Sequence, residues 1–195
     1  MKSLMAAAAS AAVFGAAVPG LAAAQTAAAP TGFYANLGYA DIHTSGQNLG
    51  AIGGRLGYRF NNWLGVEGEL GGGVKSDNFS TTIGGVPVTG KTKLSDAEAG
   101  YVVGFLPLSP QWDVLGRIGY GHSKIKVEDV AVGGVAGPVS GLSASGSGDS
   151  WNYGLGAQWH WDGVNGVRGD YTREEFTHGA NGHADVWSIA FDHRF

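Results

Sequence analysis

Large and small side chains alternate along the last twelve residues of the chain, from Ala184 to Phe195. The large residues occupy every second position: Trp187, Ile189, Phe191, His193 and Phe195. This period of two predicts a β-strand. The segment is longer and more aromatic than an ordinary half-buried strand, which has about five or six residues. A strand with one bulky face and one polar face is typical of a wall between lipid and a polar interior.

The same alternation recurs upstream and predicts seven further strands. They cover approximately residues 33–43, 49–60, 63–70, 94–106, 112–124, 150–161 and 164–176. Short connections follow every second strand, and longer connections follow the others. Outer-membrane barrels show this asymmetry between short periplasmic turns and longer extracellular loops. We therefore predict an all-β fold, an eight-stranded antiparallel up-and-down transmembrane β-barrel, over residues 32–195.

The residues before the first strand have the layout of a secretory signal peptide. A positive residue, Lys2, precedes an apolar alanine-rich centre, and small residues at 22–24 provide a cleavage site. We predict a signal peptide over residues 1–24 and a flexible N-terminal lead-in over residues 25–31. Cleavage would deliver the barrel to the cell outer membrane as a multi-pass protein.

Composition excludes several other classes of protein. The 195 residues include no cysteine and 14% charged residues, with a formal net charge of −4. Without cysteine the chain has no disulfide or thiol chemistry, and without a basic excess it is not expected to bind nucleic acid. No run of about twenty bulky apolar residues follows the N-terminal segment, which argues against a transmembrane helix.

Aromatic residues are expected to form two belts at the membrane surfaces. One set lies at strand ends near the short turns: Phe33, Phe60, Trp63, Phe105, Trp112, Trp161 and Phe195. A second set lies nearer the long loops: Tyr39, Tyr120, Trp151 and Trp187. A soluble eight-stranded barrel would instead turn its apolar face inward. The glycine-rich polar face and the signal peptide favour the membrane form.

Several segments resemble the small opacity/OmpA/OmpX-type outer-membrane barrels. They are 58–69 (YRFNNWLGVEGE), 106–108 (LPL), 116–121 (GRIGYG) and the terminal 193–195 (HRF). The resemblance covers residues 33–195 and implies a barrel in contact with the lipid bilayer and lipopolysaccharide, for which we expect a monomer. It also implies that the last strand is the signal recognised by the outer-membrane assembly machinery, through Trp187, Ile189, Phe191 and Phe195.

Charged residues of both signs fall on the faces assigned to the barrel interior. They are Arg55, Glu67, Glu69, Glu98, Arg117, Arg168 and Asp170. The interior of an eight-stranded barrel is just wide enough for side chains to fill it. Buried charges are tolerated when they are paired, so we expect one interlocked network that plugs and rigidifies the barrel. The alternative is a narrow porin-like channel for small solutes or ions.

Catalytic chemistry is not indicated by any motif. His122 and Ser123, or His178 and His183 with Glu174, are candidates for a hydrolase site only if they converge near one rim. A zinc site requires three or four protein ligands, more than the two loop histidines supply. We therefore expect no catalytic, cofactor-binding or metal-binding residues. An outer-leaflet lipid-modifying enzyme is the least favoured alternative.

Two long inserts, residues 71–93 and 125–149, contain similar glycine-rich stretches. Each places Gly-Gly between β-branched residues, a signal for a hairpin turn. We predict that the flanking strands continue as ribbons beyond the membrane; the alternative is mobile low-complexity loops. Ribbons can present strand edges to a partner. The favoured function is therefore structural or interactive: envelope integrity, or adhesion and recognition of a surface ligand, host or other cell component through these loops.

Overall fold

A computed structural model describes residues 31–44, 46–132, 144–178 and 182–195. Within these ranges the chain forms nine strands: β1 Gly32–Thr44, β2 Gln47–Arg59, β3 Leu64–Lys75, β4 Asp77–Ile83, β5 Val86–Pro107, β6 Trp112–Val132, β7 Ala144–His160, β8 Asn165–His178 and β9 His183–Arg194. No helix in this part of the chain is long and apolar enough to cross a membrane. The predicted signal peptide and residues 25–30 of the lead-in lie outside the described residues.

Eight of the described strands close into a ring with antiparallel neighbours throughout. β1 pairs with both β2 and β9, and β3 pairs with both β2 and β5. β5 to β9 pair in sequence order. The predicted eight-stranded up-and-down barrel is confirmed. β4 is an addition to this ring and pairs with the upper part of β5.

The two faces of the barrel wall have opposite polarity. Leu37, Leu155 and Ile189 on the outer face are 65–68% exposed in the isolated chain. Most of the buried polar side chains instead point into the lumen. A soluble barrel requires the reverse arrangement, whereas a wall with lipid outside requires this one. The inversion therefore selects the membrane form.

Aromatic side chains fill part of the lumen by lying over glycines of the neighbouring strand. Tyr34 lies directly opposite Gly57, and a Cβ atom on that glycine would be 2.2 Å from the Tyr34 ring. Tyr101 lies opposite Gly119 in the same way. These rings belong to a buried cluster with Val103, Phe105 and Leu115. The missing side chains at the two glycines thus make room for the aromatic packing.

Two sequence-based assignments on β5 were wrong. Phe105, predicted in the aromatic belt, is buried in the lumen beneath the guanidinium of Arg59. Glu98, predicted in the interior, is exposed on the outer wall between Leu70 and His122. The inward side chains of β5 are apolar or aromatic, and they pack against the charged side chains of other strands, as Phe105 does with Arg59 and Tyr101 with Arg117.

The predicted asymmetry of the connections holds only in part. β2 begins at Gln47, three residues after β1 ends at Thr44, so this connection is shorter than the one between β2 and β3. One of the two predicted ribbons is complete. β4 and β5 form a hairpin that turns at Gly84 and Gly85, whose φ angles are 59° and 83°. These left-handed conformations favour glycine, as the Gly-Gly signal predicted. β5 and β6 have 22 and 21 residues, about twice the length that crosses a membrane. The tip of the second insert, residues 133–143, lies outside the described residues.

Candidate functional site: the filled lumen and the extracellular ribbon

Arg168 is the centre of the charged network in the lumen. Its side chain is buried and points inward from β8. The guanidinium donates to both oxygens of Glu67 on β3 and, through Nε, to Oδ1 of Asp170 at 2.9 Å. Opposed charges from distant strands therefore meet across the lumen.

Two further arginines connect the remaining carboxylates. Arg117 Nη1 and Arg55 Nε both donate to Oε2 of Glu69, at 2.7 and 3.0 Å. Arg55 Nη1 also donates to Oδ2 of Asp170 at 2.6 Å. The network thus links β2, β3, β6 and β8 through charge-assisted hydrogen bonds, which are roughly twice as strong as neutral ones.

Neutral groups complete the coordination of these charges. The Tyr34 hydroxyl donates to Glu67 at 2.8 Å. Arg117 donates to Thr172 Oγ1 at 2.6 and 3.0 Å, and its guanidinium lies 4.2 Å from the ring centre of Tyr101. A buried charge costs little only when it is paired and hydrogen-bonded. These contacts explain how six ionised side chains share one lumen.

A second polar cluster lies in the lumen nearer the short turns. Asp113 accepts hydrogen bonds from Arg59 at 3.1 Å, Arg194 at 2.6 Å and Gln158 at 2.9 Å. His160 and Asp192 form a buried pair beside it. These residues were not among those predicted for the network, although the alternation of the sequence places Arg59 and Asp113 on inward faces. The lumen is thus filled at two levels.

The structure brings six of the seven predicted network residues together: Arg55, Glu67, Glu69, Arg117, Arg168 and Asp170. Glu98 lies outside this group on the lipid-facing wall. The four residues of the predicted insertion signal all face outward on β9 or just after it: Trp187, Ile189, Phe191 and Phe195. Phe195 also donates its backbone N–H to Phe33 at 3.0 Å, where the last strand meets the first.

His122 and Ser123, one pair considered for catalysis, do not form a nucleophile–base arrangement. His122 lies on the outer wall and contacts Asp149 at 2.6 Å, whereas the next residue, Ser123, lines the lumen. Successive strand residues point to opposite faces, so this separation is built into the backbone. Among the described residues, no group of three or more His, Asp or Glu side chains is arranged to hold a metal ion.

The ribbon beyond the barrel, formed by β4 and the adjoining ends of β5 and β6, combines a lysine-bearing face with a strand edge. All lysines after Lys2 are exposed on β3, β5 and β6: Lys75, Lys91, Lys93, Lys124 and Lys126. Lys93 and Lys126 are direct cross-strand partners and therefore share a face. Lys91 bonds to Asp129 at 2.9 Å, and this hydrogen bond raises the pKa of the lysine above its usual value.

An apolar outer wall around a filled, charged lumen defines a β-barrel of the bacterial outer membrane. The model of the outer membrane protein beta-barrel domain matches residues 6–195, and the chain belongs to this family. The bilayer of the outer membrane is therefore its environment. No curated protein matches the chain by sequence.

Several solved structures share the fold. Ail, the attachment invasion locus protein of Yersinia pestis, solved with the heparin analogue sucrose octasulfate, is 20% identical with a TM-score of 0.57; the match covers 85% of this chain and 100% of Ail. Neisserial surface protein A is 11% identical with a TM-score of 0.55, covering 85% and 98%. OprG of Pseudomonas aeruginosa is 15% identical with a TM-score of 0.51, covering 85% and 96%. At these identities the similarity concerns the fold.

Proposed function

We propose that this protein is a surface-recognition barrel, whose β4 edge binds an extended segment of a partner protein by strand addition. The free edge of β4 carries this proposal. β4 pairs with β5 over seven residue pairs, from Asp77–Thr92 to Ile83–Val86. On its other side, no strand among the described residues pairs with β4. An unpaired row of backbone donors and acceptors is a template for another strand.

The sequence of β4 lacks the usual protection of an exposed edge. Proteins commonly blunt such edges with lysine, proline or bulges. Residues 77–83 (DNFSTTI) contain neither lysine nor proline, and their pairing with β5 runs without a register shift. The ribbon's lysines lie instead on β3, β5 and β6. This distribution keeps the edge available for pairing with an extended peptide.

The filled lumen supports a role for the barrel as a rigid platform. Arg168 and Glu67 are buried at its centre and hold opposite walls together. Asp113 and its arginine partners occupy the level below. In this proposal the barrel contributes envelope integrity and anchors the ribbon, while the ribbon makes the specific contacts.

The proposal also covers the export and insertion of the protein. Residues 1–24 act as a signal peptide that is removed on export. The assembly machinery recognises β9 through its outward aromatic and aliphatic residues, and the barrel then functions as a monomer. Trp187, Ile189 and Phe191 present one continuous apolar row for that recognition.

A trimmed ribbon tests the recognition proposal. Asp77 and Thr92 are direct cross-strand partners, so Asn-Gly in place of residues 78–91 closes the strands with a two-residue turn. Wild-type and trimmed proteins in nanodiscs are compared for binding to an array of immobilised extended peptides. We expect the wild type to retain a set of peptides with alternating side-chain patterns and the trimmed protein to lose that set. Retention of the same peptides by both proteins contradicts the proposal.

A matched pair of point variants separates the edge from the rest of the ribbon. Ser80 on β4 and Thr89 on β5 are direct partners and both are exposed. Ser80→Lys places a charge on the free strand, whereas Thr89→Lys places it on a strand already paired on both sides. We expect Ser80→Lys to weaken peptide binding and Thr89→Lys to leave it unchanged. Equal losses would indicate a face contact rather than strand addition.

An anionic surface ligand is a second candidate, favoured by the pair Lys93 and Lys126. Like charges directly opposite each other are destabilising, and an anion between them would remove that repulsion. Sucrose octasulfate, present in the Ail structure, is a suitable probe. Lys126→Gln is expected to weaken its binding, whereas Lys124→Gln, whose lysine already pairs with Asp96 at 3.3 Å, serves as the control. Binding unaffected by either variant rejects this candidate.

A further inference from the structure

The extracellular half of the lumen contains a chamber of about 90 Å³ above the charged network. Its walls are mostly apolar and include Ile42, Leu49, Leu94, Ile125, Phe176 and Val186. Leu49 and Leu94 are buried and pack against Ala51. The side of the chamber nearest the network is polar and includes Glu69, Tyr101 and Glu174. A polar floor beneath apolar walls is the general make-up of a small-molecule site.

Glu174 differs from the other lumen carboxylates because no basic side chain that the structure describes pairs with it. Glu67, Glu69 and Asp170 each accept hydrogen bonds from at least one arginine. Within the described residues, the Glu174 carboxylate accepts no hydrogen bond and forms no ion pair. It points inward from β8 and lines the chamber. Its oxygens are therefore available to a ligand.

The centre of the lumen holds one more carboxyl group than guanidinium groups. Around the centre lie three guanidinium groups, those of Arg55, Arg117 and Arg168, and four carboxylates, those of Glu67, Glu69, Asp170 and Glu174. The arginine nearest the chamber, Arg117, is held by Glu69 and Thr172. A cation at Glu174 would therefore balance the set.

We propose that the chamber binds a small alkylammonium ion, with its ammonium group on Glu174 and its alkyl chain against the apolar walls. The ammonium donates hydrogen bonds to the carboxylate, and the methylene groups replace water at the walls. The apolar side chains of the lining favour the alkyl chain of an organic cation over a bare inorganic ion. The chamber is smaller than the ~150 Å³ cavity that accommodates benzene, so the alkyl chain has to be short; n-butylammonium is the test ligand.

Calorimetric titration of the nanodisc-embedded barrel with n-butylammonium chloride tests this site. At mildly alkaline pH we expect saturable binding with one ligand per barrel. Glu174→Gln keeps the shape of the side chain and removes its charge, and should weaken binding by about tenfold to a hundredfold. Glu175→Gln is the matched control, because Glu175 is the next residue on β8 and faces outward, where it pairs with Arg173 at 2.7 Å.

Two comparison ligands and one further variant make the test decisive. n-Butanol has the same alkyl chain without the charge, and sodium has the charge without the chain; both should bind or compete weakly. Ala184→Leu fills space directly opposite Glu174 on β9 and should abolish binding while the carboxylate remains. Equal affinity in Glu174→Gln, equal affinity for butanol, or equally effective competition by sodium overturns the proposal. These measurements are independent of peptide binding at the ribbon.

Discussion

Glu67 on β3 and Arg168 on β8 form a double hydrogen bond in the middle of the barrel, although they are 101 residues apart in the sequence. Both side chains are buried. Nη2 of Arg168 lies 3.2 Å from Oε2 of Glu67, and Nη1 contacts the other oxygen. This bidentate geometry fixes the distance between strands that are not neighbours in the ring.

Arg168→Ala is expected to destabilise the barrel by about 3–5 kcal/mol, because Glu67 and Asp170 would remain buried without their shared partner. Urea unfolding of the refolded protein in detergent measures the loss. Arg173→Ala is the control, since Arg173 is on the same strand but faces outward and pairs with the exposed Glu175. If Arg173→Ala lowers the free energy of unfolding as much as Arg168→Ala does, burial of the ion pair is not the cause of the destabilisation.

Planar-bilayer recordings of the wild-type barrel are expected to show no steady conductance steps. Arg168 with its carboxylates blocks the centre, and Asp113 with its arginines blocks the level below. A solute path would require both groups to separate, at the cost of unpaired buried charges. Stable steps that change in size in Arg168→Ala would instead support the channel alternative.

Gly119→Ala should destabilise the barrel by about 1–3 kcal/mol, because overpacking forces the surrounding wall to shift. A Cβ atom there would lie 2.1 Å from the carbonyl oxygen of Gly100 and 2.6 Å from the Tyr101 ring. Gly100→Ala is the control: its Cβ atom would meet nothing within 4 Å on the outer face. For each variant, the temperature at which the barrel unfolds is read from the shift in gel mobility as samples are heated in SDS. Equal melting of the two variants would contradict the packing argument.

Asp162 gives the short turn between β7 and β8 a defined pH dependence. Hydrogen bonds from the Asn165 side chain and from the backbone of Asn165 and Val164 lower the pKa of Asp162 from 3.8 to about 2. Because the folded pKa lies below the unfolded value, the turn is stabilised in full above the ordinary pKa. The stabilisation is lost as the pH falls through the folded pKa. Carboxyl titration by NMR should show this low pKa in the wild type.

Asn165→Ala tests the cause of that pKa shift. The variant removes the side-chain donor at 2.7 Å and keeps both backbone donors. The pKa of Asp162 should therefore rise part of the way toward its ordinary value. No change would show that the backbone donors alone set the pKa.

Local alternation already contained the architecture of this protein. Lipid outside the wall requires an apolar side chain at every second position. In strands such as β9, the sequence therefore shows both the period of two and the face that points outward. The Gly-Gly pair at 84–85 likewise determined a hairpin, because its left-handed φ angles favour glycine. The long insert between β3 and β5 also followed from the sequence spacing, whereas the connection between β1 and β2 is tighter than that spacing indicated.

The contents of the lumen depended on the tertiary structure. A period of two separates the two faces of a strand, but it does not identify the inner face when both faces carry apolar or small residues. On β5 it therefore did not show that Phe105 faces inward and Glu98 outward. Ion pairs also depend on strands that meet only after the ring closes, which sequence distance does not encode. That Arg168 meets Glu67 while Glu174 is left without a basic partner among the described residues is therefore a consequence of strand register around the whole barrel.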